Sequence, residues 1–435
     1  MIQTSTAPTD TSGPTEKHPL KVLLLSFEYT PAVNGGAGTQ VYELANGLGA
    51  AGCEVTVLTY TAHTTTVQKE GRVTVHHIAP SVASYATAAQ QSIVHGMMAF
   101  SDDLVAYARR LLATTAQRPD IINYHAWYTF SAARQLAQEF NIPIVGTIHG
   151  LAEPVNSWYG QVSDPEMVQQ EQALFAEAEV LITVSQSMRA IIQATHNVPA
   201  SRIHVVYNGL APHRFRPPAT RPPDLVKLRH LVAPPEAMVV LFAGRLNSHK
   251  GITELFAAAA EVVAAAPDMY YLIAGEADSR AFASSMSELL DRHPVLRSRL
   301  KLLGKVPREQ LAKLYQIADL AVVPSIYEAF GYVAIEAMVA GLPVVASAVG
   351  GLAEIMTHEV TGLLVPVHQS PAGIHHVDVP ALAAAQLRLA RDRALARQLG
   401  LAGQQHVLAT FTLDHMVKAT LQVYRHTINN TCRAE

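Results

Sequence analysis

The stretch PSIYEAFGYVAIEAM contains two glutamates whose spacing could serve ligand binding. Glu328 and Glu336 are eight positions apart, and one continuous helix would separate them by roughly 12 Å along its axis and about 80° around it. A break near Phe330-Gly331 would bring the two carboxylates together, with Glu328 in a loop after an apolar strand. Glu336 would then lie in a helix starting near Tyr332, whose N-terminal N–H groups can bind phosphate. We therefore predict a polar strand–loop–helix site.

Two cations and several glycines could complete a site for a phosphate-bearing ligand. Arg245 and Lys250 follow the apolar run MVVLFAG in the segment GRLNSHKG, and cations after a buried strand can clamp a diphosphate by charge pairing. In EYTPAVNGGAGTQVYELANGL, the glycines Gly35, Gly36 and Gly38 open a helix, where the backbone can approach an anion closely. Another glycine pair precedes a helix in SAVGGLAEI. We expect these features to converge on one cleft.

The first glycine-rich loop does not match a dinucleotide-binding fingerprint. Gly36 and Gly38 are followed by Val41 where the third glycine belongs. The second predicted strand, EVTVLTY, is followed by Thr61 and offers no acidic residue for a ribose 2′-hydroxyl. No glycine-rich run ends in Gly-Lys-Ser/Thr, so a Walker loop is absent as well. A nicotinamide or flavin dehydrogenase is therefore disfavoured.

The elements that must position these loops form two similar sets. Apolar β-branched runs alternate with Ala-rich helical segments from Lys21 onward, and the pattern restarts after the proline-rich stretch 212–235. Such strands are typical of parallel sheets covered on both faces, whose ligands bind beyond the carboxyl ends of the strands. We predict an α/β protein with two doubly wound, Rossmann-like domains facing a cleft. The predicted strands are KVLLLSF, EVTVLTY, VTVHHI, DIINY, PIVGTI, EVLITV and IHVVY in the first half, and MVVLFAG, MYYLIAG, RLKLLG, DLAVVP, LPVVAS and TGLLVP in the second.

Composition argues against several other classes of protein. The chain has 435 residues, of which 49% are hydrophobic and 15% charged, with a net charge of −3, so nucleic-acid binding is not favoured. Two cysteines, Cys53 and Cys432, are too few for a disulfide framework. No apolar run is long enough to span a bilayer, and residues 1–19 have the composition of a disordered tail. We expect a cytoplasmic protein without integral membrane contact.

Taken together, the motifs resemble those of the retaining glycosyltransferases of family 4, the glycogen-synthase-like type with the two-domain GT-B architecture. The resemblance extends from about Lys21 to Asn430. Its most specific parts are the cations of GRLNSHKG and the glutamate pair of YEAFGYVAIE, followed at the proper distances by GLPVVAS and VGGLAEI. Ala329 departs from the pattern, because the family usually has proline there. The stretch PVHQSPAGIHHVDVP is also longer than the family's usual turn.

The resemblance and the restart of the strand pattern imply the same domain organisation. We expect an acceptor-binding domain at 20–210, a linker at 211–236 and a nucleotide-sugar-binding domain at 237–410. In the family the C-terminal helix crosses back to the first domain, so residues 411–430 are placed there.

The family motif also implies roles for individual side chains in the second domain. Arg245 and Lys250 resemble the pair that binds the diphosphate of a nucleotide-sugar and stabilises its charge as it leaves. Glu336 resembles the ribose-binding glutamate, and Glu328 resembles the group that contacts the transferred hexose. The backbone N–H groups expected to assist Glu328 are those of Phe330, Gly331 and Tyr332.

The first domain contributes fewer residues to the implied site. Gly35, Gly36 and Gly38 resemble the loop that approaches the diphosphate and the sugar. His149, at the end of the predicted strand in VGTIHG, resembles the histidine beside the hexose. The catalytic set implied by the resemblance is therefore His149 together with the two cations and the first glutamate of the pair.

The activity implied by the resemblance is transfer of a hexose from a nucleotide-diphosphate-sugar to a hydroxyl acceptor. We expect the donor to be a UDP-sugar and the acceptor to be a small molecule, a saccharide or a glycoconjugate. The family retains configuration, with attack on the same face of the sugar that the leaving group departs from. No Asp-x-Asp triplet occurs in the sequence, so we expect no metal dependence and no other cofactor. Two alternatives stay open, a GT-B nucleotide-sugar epimerase and a non-catalytic GT-B binding subunit.

Overall fold

The computed structural model describes residues 18–29, 35–81, 92–114 and 118–434 of the chain. Residues 1–17 of the predicted tail and residues 30–34 of the first glycine-rich segment lie outside the described residues. Within the described part, two large sheets are present, one in each half of the chain.

Eight strands form the sheet of the first half. They are β1 (Lys21–Leu25), β2 (Glu54–Tyr60), β3 (Thr66–Glu70), β4 (Val73–Ile78), β5 (Ile121–His125), β6 (Ile144–Ile148), β7 (Leu181–Thr183) and β8 (Ile203–Val205). Their order in the sheet is β3-β4-β2-β1-β5-β6-β7-β8, and each adjacent pair is parallel except β3 and β4, which are antiparallel. The strand order reverses between β1 and β5, so the loops after these strands open a crevice.

The sheet of the second half repeats this arrangement with six parallel strands. They are β9 (Met238–Ala243), β10 (Met269–Ala274), β11 (Leu300–Gly304), β12 (Leu320–Val323), β13 (Val344–Ser347) and β14 (Leu363–Val365). Their order is β11-β10-β9-β12-β13-β14, with the reversal between β9 and β12. The strands β15 (Val367–Gln369) and β16 (His375–Val377) form a separate antiparallel hairpin.

Helices connect the strands in both halves. In the first half they are Gly36–Ala50, Ile93–Thr114, Phe130–Phe140, Val155–Trp158, Pro165–Glu177 and Gln186–His196. From residue 223 onward they are Pro223–Val232, Ile252–Ala265, Arg280–Asp291, Pro294–Arg299, Arg308–Ile317, Tyr332–Val339, Leu352–Ile355, Val379–Arg391, Arg393–Thr410 and Leu413–Ala434. None of the helices in the described ranges combines the length and the apolar character that crossing a membrane requires.

The central strands are buried on both faces, which explains their continuous apolar sequences. Val22 and Leu24 of β1 pack in the same core as residues of the helix Gly36–Ala50. Leu23 and Leu25 face the opposite way, into a core that also contains side chains of the second half. A strand covered on both faces needs apolar residues at successive positions. The predicted α/β architecture with two doubly wound sheets is confirmed.

Two strand regions were not predicted from the sequence. Every residue of β3 is exposed, and its sequence TVQKE has little of the apolar character that marks a buried strand. The hairpin of β15 and β16 lies inside the unusually long stretch 366–380 and is also largely exposed. Both are antiparallel additions outside the parallel layers, where burial does not dictate an apolar pattern.

The segment 211–236, predicted as the linker, contains a regular helix. Pro223–Val232 begins with a proline, which is well tolerated in the first turn of a helix. Its Arg229 Nη2 lies 3.1 Å from Asp319 Oδ2, and the same carboxylate oxygen accepts from the N–H of Val239 at 2.8 Å. The helix is therefore attached to the second sheet, at the point where β9 begins.

The last helix, Leu413–Ala434, packs against the first half of the chain. A Cβ atom on Gly47 would lie 2.5 Å from Val417 Cγ2, so the two helices meet where only a glycine fits. Tyr424 is fully buried, and its hydroxyl donates a hydrogen bond of 2.7 Å to Asn123 Oδ1 in β5. This contact joins residues 301 positions apart and fixes the C-terminal helix on the first domain.

We expect Tyr424→Phe to lower the free energy of unfolding by about 1 kcal/mol, because it removes one buried hydrogen bond while the ring keeps its packing. Tyr424→Ala should cost about 3–5 kcal/mol, since it also empties a core position. Urea unfolding followed by circular dichroism measures both. An unchanged midpoint for the phenylalanine variant would show that the Asn123 contact contributes no stability.

Candidate active site

Two loops at the carboxyl end of the second sheet bring the predicted cation and glutamate together. The turn Ser248–Lys250 follows β9, and Glu328 follows β12. Lys250 Nζ donates to Glu328 Oε2 at 2.7 Å, and Ser325 Oγ donates to the same oxygen at 3.2 Å. Both side chains of this ion pair remain partly exposed, at 21% and 16%. The pair therefore borders solvent, where a ligand could reach either group.

Backbone contact between these two loops requires glycine at one position. Gly251 has a φ of +64°, a conformation that other residues adopt only under strain. A Cβ atom there would lie 1.8 Å from the carbonyl oxygen of Pro324. Any side chain would push the loops apart, so this glycine sets the closeness of the ion pair beside it.

Arg245 takes a more open position than Lys250. Its side chain is 54% exposed, and its Nη1 lies 4.0 Å from Asp278 Oδ2. That carboxylate is also bound by Asn247, whose Nδ2 donates to it at 2.5 Å. The structure therefore places the two predicted cations in the same loop, and of these two Lys250 is the one in close contact with Glu328.

The helix after Glu328 begins at Tyr332, as the sequence analysis predicts. Gly331 immediately before it has a φ of +117°, which produces the break between the loop and the helix. The N–H of Gly351 donates to the carbonyl of Glu328 at 2.8 Å, and a Cβ atom on Gly350 would lie 2.1 Å from that oxygen. The glycine pair of SAVGGLAEI thus holds the glutamate loop in place.

The two glutamates of the motif occupy different surroundings. Glu336 is only 5% exposed, and its Oε2 accepts a hydrogen bond of 3.0 Å from the hydroxyl of Tyr315. Arg308 Nη2 lies 3.6 Å from its Oε1. Burial raises the pKa of Glu336 to about 7, although Arg308 and the Tyr315 hydrogen bond act in the opposite direction. Glu336 therefore contacts a different set of side chains from Glu328, which is paired with Lys250.

The glycine-rich helix of the first domain faces the glutamate motif. Gly36 is exposed, and a Cβ atom on it would lie 3.5 Å from the ring of Tyr332. Gly38 donates its N–H to Glu28 Oε2 at 3.3 Å, and Gly35 is the residue at which the helix is capped. The predicted glycines of the first domain are therefore opposite the predicted helix start of the second domain.

His149 forms a pair with a histidine that the sequence analysis did not select. His149 Nε2 lies 2.9 Å from His125 Nδ1, so one nitrogen donates to the other, and the rings stack with centroids 5.2 Å apart. Burial lowers the pKa of His149 to about 4, and burial together with His149 lowers the pKa of His125 well below its usual value. Both rings are neutral at pH 7. In the described ranges, no three His, Cys, Asp or Glu side chains are grouped to hold a metal ion.

Several charged residues at the contact between the domains escaped the sequence analysis. Glu43 of the helix Gly36–Ala50 is paired with Arg214 and Arg308, and Glu354 accepts from the N–H groups of Gln186 and Ser187. Both glutamates lie in segments that the sequence analysis quotes, but the sequence does not reveal their partners, because these come from distant segments. His125 could have been selected, since it directly follows the apolar residues of β5 as His149 follows β6.

Comparison with known families gives one match in each half of the chain. The family described as "Glycosyltransferase Family 4" matches residues 34–214, and the one described as "Glycosyl transferases group 1" matches residues 227–378. The first match ends and the second begins within the segment 211–236, between the two sheets.

Individual relatives align over almost their whole length. A glycogen synthase of Mycobacterium tuberculosis is 31% identical over 418 residues, covering 93% of this chain and 94% of the relative. The solved structure of sucrose-phosphate synthase from Thermosynechococcus elongatus covers 94% of this chain and all of that chain, at 28% identity and a TM-score of 0.79. The Anabaena HepE protein in complex with UDP-glucose shares the fold at 21% identity, with a TM-score of 0.70 over 96% of this chain and 100% of that chain.

A buried carboxyl group in the first domain predicts a measurable pH effect. Glu171 is 4% exposed and accepts from the N–H of Ala152, while burial raises its pKa from 4.5 to about 7. The folded protein therefore holds this proton more tightly than the unfolded chain does. Its contribution to stability is present at low pH and is lost as pH rises through about 7.

We expect Glu171→Gln to be more stable than the parent protein at pH 8 by up to about 3 kcal/mol, with no gain near pH 4. Thermal unfolding between pH 4 and pH 8 measures this. Glu139→Gln, which alters an exposed ion pair with Arg109, is the matched control and should follow the parent curve. Identical pH profiles for Glu171→Gln and the control would contradict the assignment.

Proposed function

The chain belongs to glycosyltransferase family 4 and is a glycosyltransferase of the GT-B type, and from this premise we propose that it transfers a hexose from a nucleotide-diphosphate-sugar to a hydroxyl acceptor with retention of configuration. The observation that carries this proposal is the partly exposed ion pair of Lys250 and Glu328, with Arg245 in the same loop as Lys250. A diphosphate is bound by positively charged groups, and the hydroxyls of a hexose are bound by hydrogen-bond acceptors and donors. The paired loops after β9 and β12 offer both at one point.

The proposed reaction depends mainly on stabilising the leaving group. As the bond between the anomeric carbon and the phosphate oxygen breaks, negative charge grows on the diphosphate, and we assign its stabilisation to Arg245 and Lys250. The acceptor hydroxyl attacks from the face that the diphosphate leaves, and its proton passes to the departing phosphate oxygen. The proposal assigns charge neutralisation to these two side chains and includes no metal ion. Glu328 binds a hydroxyl group of the hexose.

His149 is assigned to the hexose side of the site as a neutral hydrogen-bonding group. Because burial lowers its pKa to about 4, it does not compete with the cations for the diphosphate at pH 7. Its Nε2 is engaged with His125, which leaves Nδ1 as the nitrogen able to meet a sugar hydroxyl.

The test of this proposal is a panel of nucleotide-sugars. UDP-glucose is the first donor to test because the Anabaena relative of the same fold was crystallised with it, and ADP-glucose and GDP-mannose complete the panel. Thermal shift and slow hydrolysis select the donor, and candidate acceptors are then screened with it. Binding without hydrolysis or transfer would favour a non-catalytic subunit, and a changed sugar without an acceptor would favour an epimerase.

We expect Lys250→Ala and Arg245→Ala each to lower kcat on the order of 10²- to 10³-fold, because each removes one group that stabilises charge in the transition state. Lys313→Ala, which alters an exposed cation of the same domain, is the control and should keep its turnover. Steady-state kinetics with the selected donor measures all three. A folded Arg245→Ala or Lys250→Ala variant with near-normal kcat would remove that residue from the mechanism.

The two glutamates of the motif should differ in their kinetic signatures. A ribose contact is the same in ground and transition states, so Glu336→Ala should raise the donor KM about ten- to a hundredfold with a smaller effect on kcat. Glu328 meets the sugar that reacts, so Glu328→Gln should lower kcat more than it raises KM. The reverse pattern in folded variants would exchange the two assignments.

A further inference from the structure

A buried ion pair joins the two domains next to the glutamate motif. Glu43, on the glycine-rich helix of the first domain, has a side chain that is 1% exposed, and its Oε1 lies 3.1 Å from Arg308 Nη2 of the second domain. Arg214, which follows the first sheet, contacts the same oxygen at 2.6 Å. A carboxylate this deeply buried is costly unless it is paired. Glu43 therefore depends on cations that come from outside its own helix.

Arg308 connects this pair to the donor-binding glutamate of the proposed function. The same Nη2 atom that faces Glu43 lies 3.6 Å from Glu336 Oε1, so one guanidinium serves two carboxylates on opposite sides of the domain contact. Arg308 is the first residue of the helix that also carries Tyr315, whose hydroxyl donates to Glu336. The helix thus holds Glu336 from two positions.

The guanidinium of Arg308 is held by charge and by an aromatic ring more than by aligned hydrogen bonds. Its carbon lies 5.7 Å from the ring centroid of Phe215. Within the described residues, neither its Nε nor its Nη2 has an acceptor in hydrogen-bonding geometry, although both atoms are buried. Ion pairing without directional hydrogen bonds allows the guanidinium to shift between its two carboxylates. The position of Arg308 is therefore set by the balance of charge on Glu43 and Glu336.

We propose that Glu43 and Arg308 are positioning residues for the donor site, which link the Glu336 carboxylate to the contact between the two domains. The proposal rests on the proposed function, because it assumes that Glu336 binds the ribose of the donor. Glu43 draws Arg308 toward the first domain and leaves an oxygen of Glu336 free to accept from ribose hydroxyls. The first domain thereby controls whether Glu336, a residue of the second domain, can accept hydrogen bonds from the ribose.

Removing either charge should weaken donor binding for a different reason. In Glu43→Gln, Arg308 loses its partner in the first domain and moves onto Glu336, which occupies the oxygen that the ribose needs. In Arg308→Gln, Glu336 loses its cation, and the buried carboxyl group takes up a proton more readily and becomes a weaker acceptor. In the double variant there is no guanidinium for Glu43 to position, so the loss of the Glu43 charge does not weaken donor binding further.

The experiment is a double-mutant cycle with UDP as the probe. We expect each single variant to raise the dissociation constant of UDP about tenfold by calorimetry, and the double variant to match Arg308→Gln within about twofold. Glu177→Gln, which alters an exposed ion pair of the first domain with Arg134, is the control and should bind as the parent protein does. Effects that multiply to about a hundredfold, or an unchanged constant in a folded Glu43→Gln variant, would overturn the proposal. Arg308 is 29% exposed, so its variant provides a folded reference if Glu43→Gln does not fold.

A second readout separates this proposal from the proposed function. Small-angle scattering of the protein without nucleotide should give a larger radius of gyration for Glu43→Gln and Arg308→Gln than for the parent and the control, because the contact between the domains is weakened. An unchanged radius would count against the bridge whatever the protein binds. Failure of the parent protein to bind any nucleoside diphosphate would instead overturn the proposed function, while the scattering result would still decide whether the bridge exists.

Discussion

Contacts between carboxylates of one domain and donors of the other are the interaction on which the cleft depends. Glu43 of the first domain is paired with Arg308 of the second. In the opposite direction, Glu354 of the second domain accepts from the N–H groups of Gln186 and Ser187 at 2.9 and 2.7 Å. These N–H groups belong to the start of a helix, where a negative charge is stabilising. Separating the domains would remove these contacts from both carboxylates, so the carboxyl ends of the two sheets are held opposite each other.

That constraint explains why one sequence motif provides two carboxylates with different properties. The glycine break at Gly331 sends Glu328 into the loop, toward Lys250, and turns Glu336 inward beneath the domain contact. Desolvation then raises the pKa of Glu336 to about 7. Its charge at neutral pH thus depends on the surrounding cations, whereas Glu328 has a cation as a direct partner. The chemistry of each residue follows from its side of the break and cannot be derived from the residue type.

Parts of this arrangement could be predicted from the sequence because burial leaves a pattern. The parallel strands appear as apolar runs, and the helix start at Tyr332 follows from the glycine before it. The strand β3 could not be found in this way, because all its residues are exposed. The loops after β9 and β12 were expected to converge on one cleft, since ligands of parallel sheets bind beyond the carboxyl ends of the strands. The close approach of their backbones at Gly251 depends on distances of a few ångströms, which sequence periodicity does not encode.

The charged contacts between the domains could not be predicted for a related reason. Glu43 and Arg308 are 265 positions apart in the chain, and no motif pairs them. Periodicity places Glu43 on a helix and marks neighbouring positions as buried. For an acidic residue this indicates only that a charge lies in a buried region and needs a partner. A guanidinium from another domain supplies such a partner, and which arginine provides it depends on how the two sheets are oriented. Sequence patterns within one element therefore predict strands and loops, but not the pairing of charges between domains.

The distribution of charge across the cleft gives the proposed reaction a direction. His249, beside the cation loop, is neutral at pH 7 because burial, Lys250 and Arg245 lower its pKa to about 3. The histidine pair on the first-domain side, His125 and His149, is neutral as well, since burial lowers both pKa values. In the proposed reaction, the positive charge that binds the diphosphate is thus supplied by Arg245 and Lys250 and not by the histidines. We infer that a diphosphate gaining negative charge as it departs is drawn toward these two cations of the second domain. The groups assigned to the hexose, Glu328 and the neutral His149, can bind its hydroxyls without attracting the leaving group.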